Sequence, residues 1–199
     1  MHPRIAQLFA DYPPALTTAL GVLSGELLRW RRVHNLTGHR DQLSVAVDLF
    51  LDSLALVPHV QGPSLLDIGS GAGFPGLVLA LALPGLRVSL LESRAKRVSF
   101  QKHAVRVLGL GPRVRPVLGR AEPGVLGDEL FDTVTLRAVG SLEESLSLAR
   151  PFVAPGGRVL LPRGQGDRRA AEALGLRVVD YQLPPPGGAR LLAIHRELT

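Results

Sequence analysis

Residues 64–76 decide the fold, and they read Ser-Leu-Leu-Asp-Ile-Gly-Ser-Gly-Ala-Gly-Phe-Pro-Gly. An apolar run ends there in four glycines within eight residues, and a second apolar run, 77–83, begins at once. This pattern predicts a strand, a tight turn and a helix. Glycines let a ligand approach the backbone closely, and the first turn of a helix offers unpaired N–H groups. We therefore expect the turn to bind a small molecule.

The glycine spacing is compatible with two classes of ligand. Gly71, Gly73 and Gly76 fit the pattern G-x-G-x-x-G of dinucleotide-binding folds. Asp67, Gly69, Gly71 and Gly73 fit D-x-G-x-G-x-G equally well, which resembles motif I of class I S-adenosylmethionine-dependent methyltransferases. In that family the loop holds the amino-acid end of the cofactor, and the acidic residue acts near it. A pyrophosphate gains nothing from Asp67, because like charges repel.

A second acidic residue, Glu92, ends the next apolar run, 88–91. A carboxylate at the end of a second strand can accept hydrogen bonds from both ribose hydroxyls. Glu92 therefore indicates a nucleoside ligand without distinguishing the two cofactors. With two carboxylates beside the glycines, a turn that merely joins strand to helix is the weaker interpretation.

Size and composition indicate one well-buried domain with a small addition. The chain has 199 residues, of which 46% are hydrophobic, and a mean hydropathy of +0.20. No apolar run reaches the roughly 18 residues of a membrane span, and the first residues lack a signal-peptide pattern. We expect a soluble cytoplasmic protein. The chain has no cysteine, which excludes disulfides, thiolate metal sites and a cysteine nucleophile.

The chain is strongly basic, with a net charge of +6 and a pI of about 10.9. Such a charge suits a polyanionic partner. All but two of the 23 basic residues are arginine. A GC-rich coding sequence explains the preference for arginine, but not the excess over 17 acidic residues. The charge alone leaves nucleic-acid binding undecided.

Residues 1–60 are predicted to form a helical extension. Pro14 can open a helix whose apolar residues recur every three or four positions, and a second helix is expected from about residue 44 to residue 57. Between them lie a basic cluster and the turn 35–38. The segment is either a helical cap with a solvated basic edge or an RNA-binding arm.

Residues 61–199 are predicted to form the cofactor-binding domain, a single α/β unit. Strands and helices alternate in the order of a mostly parallel sheet covered on both faces. The strands are expected at 64–68, 87–92, 114–118, 131–136, 157–162, 176–183 and 190–196. Because a proline- and glycine-rich loop separates the last two, we expect an antiparallel C-terminal hairpin. Dinucleotide dehydrogenases lack this hairpin, whereas seven-stranded, Rossmann-like methyltransferases have it.

A series of motifs runs along nearly the whole chain. The motifs are Trp30 with Asn35-Leu36-Thr37, then Arg40, Asp52-Ser53-Leu54, the loop 67–76, Glu92-Ser93, Lys96-Arg97, Arg120-Ala121-Glu122, Arg137-Ala138 and Pro155-Gly156-Gly157. Together they resemble one family, the bacterial small-subunit ribosomal RNA guanine-N7 methyltransferases, also known as glucose-inhibited division protein B. The chain departs from the family at two places. Leu49 replaces a usual histidine, and Arg163-Gly164 replaces Lys-Gly.

The resemblance implies S-adenosylmethionine-dependent methylation of N7 of guanine 527 in 16S rRNA. The implied cofactor contacts are Gly69 and Phe74 in the loop, Ala121 and Glu122 beside the adenine, and Arg137 near the site of methyl transfer, while Glu92 holds the ribose. Without the resemblance, Ala121-Glu122 is better interpreted as a surface turn before Pro123-Gly124. Arg137 alone could equally form an ion pair at a strand end.

The chemistry of guanine N7 matches what the chain offers. N7 is an unprotonated acceptor, so its methylation needs no general base, and we assign no catalytic residue beyond Arg137 as a possible substrate orienter. Carbon-5 methylation of pyrimidines uses a cysteine, which is absent. Amino-group methylation of adenine typically uses an Asn/Asp-Pro-Pro-aromatic motif, where this chain has Leu136-Arg137-Ala138-Val139. The histidines show no metal-ligand spacing, and we assign no metal.

RNA contacts are expected from the basic residues on both sides of the cleft. These candidates are Arg29, Arg31, Arg32, Asn35, Arg40, Arg94, Lys96, Arg97 and Arg163. The partner is naked 16S rRNA or the small ribosomal subunit, and the working expectation is a monomer. Three alternatives remain open: a small-molecule methyltransferase, an RNA-binding protein with a degenerate cofactor pocket, and a nicotinamide-dependent oxidoreductase.

Overall fold

A seven-stranded sheet forms the centre of the computed structural model, which describes residues 3–32, 36–39 and 41–197. The sheet order is β3-β2-β1-β5-β6-β8-β7, and the short β4 lies outside it. The strands are β1 (Ser64–Ile68), β2 (Arg87–Glu92), β3 (Val114–Leu118), β4 (Val125–Asp128), β5 (Phe131–Leu136), β6 (Val153–Gly164), β7 (Arg177–Leu183) and β8 (Gly188–Arg196).

The strand directions confirm the predicted fold class. β1 lies parallel to both β2 and β5, and β5 lies parallel to β6. β8 is antiparallel to β6 on one side and to β7 on the other. The last strand is thus inserted between its two predecessors, which distinguishes this sheet from the 3-2-1-4-5-6 order of dinucleotide-binding folds. The sequence predicted the hairpin but not its insertion.

Helices cover both faces of the sheet because the central strands are apolar on both sides. Leu65 and Leu66 of β1 are fully buried in separate hydrophobic clusters, one on each face. The helices are α1 (Pro3–Leu8), α2 (Pro14–Arg31), α3 (Gln42–Val45), α4 (Asp52–Leu54), α5 (Gly76–Ala82), α6 (Ala95–Val107), α7 (Leu142–Ala149) and α8 (Arg168–Ala173). Within the described ranges, none is long and apolar enough to cross a membrane.

The N-terminal helices share one hydrophobic cluster with α5 and α6. The predicted apolar stripe of α2 is confirmed, with Leu20, Leu23 and Leu27 at most 2% exposed. The ring of Trp30 lies 5.7 Å from that of Phe100 in α6, in an edge-to-face arrangement. The core therefore continues across residue 60 into the sheet.

The second predicted helix differs from the sequence prediction in its bounds and in its winding. Asp41 accepts a hydrogen bond from Ser44 N–H and caps α3, so the helical segment begins earlier than expected. Its middle, Ala46–Leu51, is a π-helical turn, and α4 ends at Leu54. π-Helical turns widen a helix locally and occur frequently at functional sites.

Candidate active site

The glycine loop follows β1 at the edge of the sheet where the parallel strands end. Gly69, Gly71 and Gly73 have φ angles of 66°, 59° and 94°, which side-chain-bearing residues rarely adopt. A Cβ atom at Gly69 would lie 2.9 Å from Cγ2 of Val139. Backbone conformation and space therefore both require glycine here.

Asp67 holds the C-terminal end of this loop by a hydrogen bond. Its Oδ2 accepts a hydrogen bond of 2.8 Å from the N–H of Gly76, the first residue of α5. The side chain is completely buried, and among the described residues its Oδ1 has no hydrogen-bond partner. Burial raises the pKa of Asp67 to about 7, although the bond from Gly76 opposes that shift.

Glu92, at the end of β2, holds the middle of the loop. Its carboxylate accepts 2.9 Å hydrogen bonds from the N–H groups of Gly71 and Arg94. Longer bonds come from the side chains of Arg97, at 3.3 Å, and Ser93, at 3.4 Å. The two short backbone bonds fix the carboxylate, and the two long ones are the bonds that ribose hydroxyls can replace.

Gln101 of α6 is a loop-supporting residue that the sequence analysis missed. Its Nε2 donates hydrogen bonds of 2.8 Å to Ser70 Oγ and to the carbonyl of Gly71. The side chain is fully buried. A single glutamine within a helical pattern carries no signal for such a role, because the contact spans about 30 residues of chain.

Two adjoining cavities, together called the cofactor cavity here, lie against the loop. One has a volume of about 410 Å³ and is lined by Gly69, Gly71, Phe74, Glu92, Arg137 and Val139, among others. The other has a volume of about 320 Å³ and is lined by Ile68, Gly69, Leu91, Ala121, Glu122, Val139 and Leu148, among others. Polar groups in the first and apolar walls in the second fit a nucleoside cofactor.

Most of the predicted cofactor residues line this cavity, but two do not. Asp67 and Gly73 lie behind the loop, where Asp67 bonds to Gly76 and a Cβ atom on Gly73 would meet Leu77 at 2.5 Å. The structure therefore places these two as supports of the loop. A motif read from sequence does not distinguish its lining residues from its supporting ones.

Arg137 follows β5 and stands between two sites. Its Nη1 donates a 2.9 Å hydrogen bond to the carbonyl of Asp48 and lies 3.6 Å from Oδ2 of Asp52. Asp52 in turn accepts a 2.7 Å hydrogen bond from the hydroxyl of Tyr181. The next residue, Ala138, has a φ of 55°, a strained conformation for a residue with a side chain. Arg137 is thus paired with Asp52 and also lines the cofactor cavity. An ion pair at the strand end and a place beside the cofactor therefore do not exclude each other.

A third cavity, called the mouth cavity here, opens beyond Arg137 and Ala138, which line it as well. Its volume is about 660 Å³. Its ionisable lining residues are His39, Asp48, Asp52, Arg137, Arg163, Asp167 and Arg190. Asp48, Asp167 and Arg190 are not among the residues predicted from the sequence. Asp48 and Asp52 are four residues apart in a helical segment, so they lie on the same helix face. This spacing is the sequence signal that could have predicted Asp48 beside Asp52.

The predicted RNA-binding residues differ in exposure. Arg32, Arg94 and Lys96 are exposed, as is Arg29, which pairs with Glu26 at 2.7 Å. Arg31 and Arg97 are partly buried, and Arg97 pairs with Glu92 at 3.3 Å. Asn35 and Arg40 lie outside the described residues.

Arg163 does not present its charge to solvent as the RNA-binding prediction requires. It is 8% exposed, and its guanidinium donates to Ser145 Oγ at 2.6 Å and to the carbonyl of Val139 at 3.2 Å. Burial lowers its pKa, although Asp167 opposes that shift. Arg163 therefore supports the segment after β5. Leu49, at the position where the family usually has histidine, is 1% exposed and belongs to the hydrophobic core.

The described residues contain no group of three or more histidine, aspartate or glutamate side chains that could hold a metal ion.

Comparison with solved structures identifies the fold. An O-methyltransferase from Bacillus cereus, solved in complex with SAH, has a TM-score of 0.66 at 17% identity, with 96% of each chain covered. A methyltransferase from Geobacter sulfurreducens has a TM-score of 0.64 at 16% identity, covering 100% of this chain and 99% of its own. The sheet order and these likenesses show that the chain has the Rossmann-like fold of class I methyltransferases.

Sequence comparison identifies the family within that class. The family model described as rRNA small subunit methyltransferase G matches residues 18–178. Proteins named ribosomal RNA small subunit methyltransferase G are 44% identical in Myxococcus xanthus, covering 93% of this chain and 88% of the relative, and 39% identical in Chromohalobacter salexigens, covering 91% and 81%. The chain belongs to this family, and it is an S-adenosylmethionine-dependent rRNA methyltransferase.

Proposed function

We propose that the protein methylates N7 of guanine 527 in 16S rRNA with S-adenosylmethionine as methyl donor. The observation that best supports this proposal is the pair of sites that meet at Arg137 and Ala138. One side is a nucleoside-sized cavity beside a glycine loop, and the other is an open, charged cavity that a nucleotide can enter from solvent.

Within the cofactor cavity we assign roles by chemistry and position. Gly69 and Gly71 allow close approach to the backbone, and Phe74 contributes an apolar wall. Glu92 accepts hydrogen bonds from the ribose hydroxyls. Ala121 and Glu122 line the part with apolar walls, where a purine ring fits best. Asp67 acts indirectly, by holding the loop against α5.

Methylation at N7 suits the side chains of the mouth cavity. Bound S-adenosylmethionine supplies an electrophilic methyl group on a sulfonium. Guanine N7 has a lone pair and no proton to lose, so the protein must mainly position the base, which can contribute roughly 7–11 kcal/mol. The methylated base is cationic, and Asp48 and Asp52 place two carboxylates in the cavity that would receive it. Arg137 orients the substrate and takes no proton.

The basic surface provides a path for the RNA. Arg32, Arg94 and Lys96 are exposed and available to phosphates. The target guanine must reach the cavity from an unpaired loop or by extrusion from a stack. Because the proposed substrate is ribosomal RNA, we propose that the protein acts in the cytoplasm, as a monomer and without a metal.

The decisive experiment is methyl transfer followed by mapping of the modified nucleotide. Purified protein and labelled S-adenosylmethionine are incubated with small subunits, or with naked 16S rRNA, from cells that lack the corresponding gene. We expect one methyl group per RNA, located at N7 of guanine 527 by mass spectrometry of nuclease fragments. Label at another nucleotide, or in small molecules alone, would refute the proposal, and the two substrates show which form of the RNA is used.

A further inference from the structure

The mouth cavity contains a carboxylate with unused capacity to accept hydrogen bonds. Oδ2 of Asp48 lies 3.6 Å from Nε2 of His39, and its Oδ1 lies 3.8 Å from Nη2 of Arg190. Both distances are too long for hydrogen bonds. A carboxylate has about four acceptor positions on its two oxygens. With respect to the residues that the structure describes, Asp48 is a charged acceptor with lone pairs available to a ligand.

Asp52, the neighbouring carboxylate, already interacts with two side chains of the protein. It is 6% exposed and accepts the 2.7 Å hydrogen bond from Tyr181. Burial raises the pKa of Tyr181, so its hydroxyl keeps the proton that it donates. The other oxygen of Asp52 faces Arg137 at 3.6 Å. Asp52 therefore holds Arg137 in place, and Asp48 is the carboxylate that remains for a substrate.

The neighbours of Asp48 leave part of its charge uncompensated. Burial lowers the pKa of His39, which favours the neutral form of its imidazole, although Asp48 opposes that shift. Nδ1 of His39 lies 2.6 Å from Oγ1 of Thr37, which fixes the ring. Arg190 is the described cation nearest to the carboxylate, at 3.8 Å, and it is partly solvated.

We propose that Asp48 selects guanine by accepting hydrogen bonds from N1–H and from the 2-amino group of the target base. Proteins that act on an extruded base read its Watson–Crick edge. Guanine offers two adjacent donors there, which match the two oxygens of a carboxylate. Adenine has a lone pair at N1 and no 2-amino group, so it would face the carboxylate with an acceptor. This inference rests on the proposed function.

The same residue also connects base recognition to the cofactor side. The backbone carbonyl of Asp48 accepts the 2.9 Å hydrogen bond from Arg137, which lines both the mouth cavity and the cofactor cavity. N7 of guanine lies on the five-membered ring, on the edge that is read in the major groove, away from N1 and the 2-amino group. A base held at Asp48 by its Watson–Crick edge therefore keeps N7 free for methyl transfer.

A single-group change in the substrate tests this assignment. Small subunits are reconstituted with 16S rRNA that carries either guanine or inosine at the target position. Inosine retains N7, O6 and N1–H and lacks only the 2-amino group. We expect wild-type protein to prefer guanine in kcat/KM by roughly 10- to 150-fold, the value of one hydrogen bond to a charged group. In Asp48→Ala and Asp48→Asn this ratio should fall toward one.

A matched control lies in the same cavity. Asp167 is a carboxylate whose Oδ2 is 3.6 Å from Nε of Arg163, and Asp167→Asn removes the same charge. This variant should keep the wild-type ratio of guanine to inosine. All variants should bind S-adenosylmethionine within about twofold of wild type in calorimetry, because Asp48 does not line the cofactor cavity.

The outcomes separate this inference from the proposed function. If the variants of Asp48 keep the wild-type ratio while N7-methylguanine still forms, Asp48 does not read the base and the proposed function stands. If wild-type protein forms no N7-methylguanine on the guanine substrate, both proposals are overturned. A loss of activity on guanine and inosine alike would assign Asp48 a structural role and would also overturn the inference.

Discussion

Glu92 holds the glycine loop, and we propose that it also binds the ribose of the cofactor. Its bonds from the N–H groups of Gly71 and Arg94 are charge-assisted and lie at 3% exposure, where they are stronger than in water. The same oxygens face the cavity in which a ribose would lie. A carboxylate at this position therefore shapes the loop before any ligand binds.

Replacing Glu92 with glutamine tests both tasks. In Glu92→Gln the amide nitrogen faces N–H donors, so one backbone bond is lost along with the charge. We expect affinity for S-adenosylmethionine to fall by roughly 10- to 150-fold, the value of a hydrogen bond to a charged group. Calorimetric titration measures the change. Glu129→Gln, which removes an exposed carboxylate paired with Arg115, is the control and should bind as wild type does.

Asp67 makes the stability of the protein depend on pH in an unusual direction. Its pKa is about 7 in the folded state and 3.8 in the unfolded chain. Between these values the folded state holds a proton that the unfolded state has released. Raising the pH through this window therefore lowers the free energy of unfolding, and the loss is complete above about pH 7.

The variant Asp67→Asn has no titratable group at this position, so the pH dependence due to Asp67 should disappear. Asparagine keeps an acceptor for the N–H of Gly76 and does not titrate. Relative to the variant, wild-type protein should lose on the order of 4 kcal/mol of unfolding free energy between pH 4 and pH 7.5. Urea denaturation at several pH values measures this difference. A difference that stays constant with pH would contradict the assignment.

The unit formed by β1, the glycine loop and α5 positions the residues of the site because α5 packs tightly against β1 and β2. A Cβ atom at Gly76 would lie 2.4 Å from Cδ2 of Leu90 and 2.9 Å from Oδ2 of Asp67. α5 therefore approaches β2 as closely as glycine allows. Such close packing fixes the direction in which the loop presents its N–H groups.

Alanine at Gly76 should destabilise the protein by about 1–3 kcal/mol, because the added methyl group forces Leu90 and Asp67 apart. Thermal or urea unfolding measures the effect, and binding of S-adenosylmethionine should weaken with it. Gly25 of α2 is the matched control, since nothing lies within 4 Å of a Cβ atom there. Gly25→Ala should stabilise the protein by about 0.5–1 kcal/mol, because alanine favours a helix over glycine. Equal effects of the two changes would contradict this account of the packing.

The charge of the protein acts through its distribution around the sheet. Both cavities lie at the edge where the parallel strands end, and the end of α2 and the start of α6 carry exposed basic residues. Phosphate contacts position RNA and make its binding dependent on salt. We therefore expect the affinity for RNA to depend on where the arginines lie as well as on the net charge of +6.

The double variant Arg31→Ala with Arg32→Ala should weaken RNA binding and lower the slope of log K against log salt by about 1 to 2, with binding of S-adenosylmethionine intact. Filter binding at several salt concentrations measures the slope. The double variant Arg87→Ala with Arg177→Ala removes the same charge from exposed residues at the opposite edge of the sheet and should leave the slope closer to wild type. An unchanged slope in the first variant would remove the end of α2 from the RNA-binding surface.

Local sequence patterns were sufficient for most of the sheet and for the loop. β1, β2, β3 and β5 have the predicted bounds, because apolar runs and turn residues act over a few neighbouring positions. The C-terminal hairpin follows from a proline-rich loop between two strand patterns. The glycine loop could also be predicted, since positive φ angles and the absence of Cβ atoms are properties of its own residues.

Tertiary packing decided which side chains meet. Arg137 and Asp48 are 89 residues apart and bond directly, and Asp52 and Tyr181 are 129 apart. The burial of Arg163 and the position of Asp67 behind the loop likewise depend on elements distant in sequence. Periodicity and spacing report only on neighbours along the chain. The cofactor loop was therefore visible in the amino-acid sequence, whereas the mouth cavity exists only once β8 has paired between β6 and β7 and brought Arg190 toward Asp48.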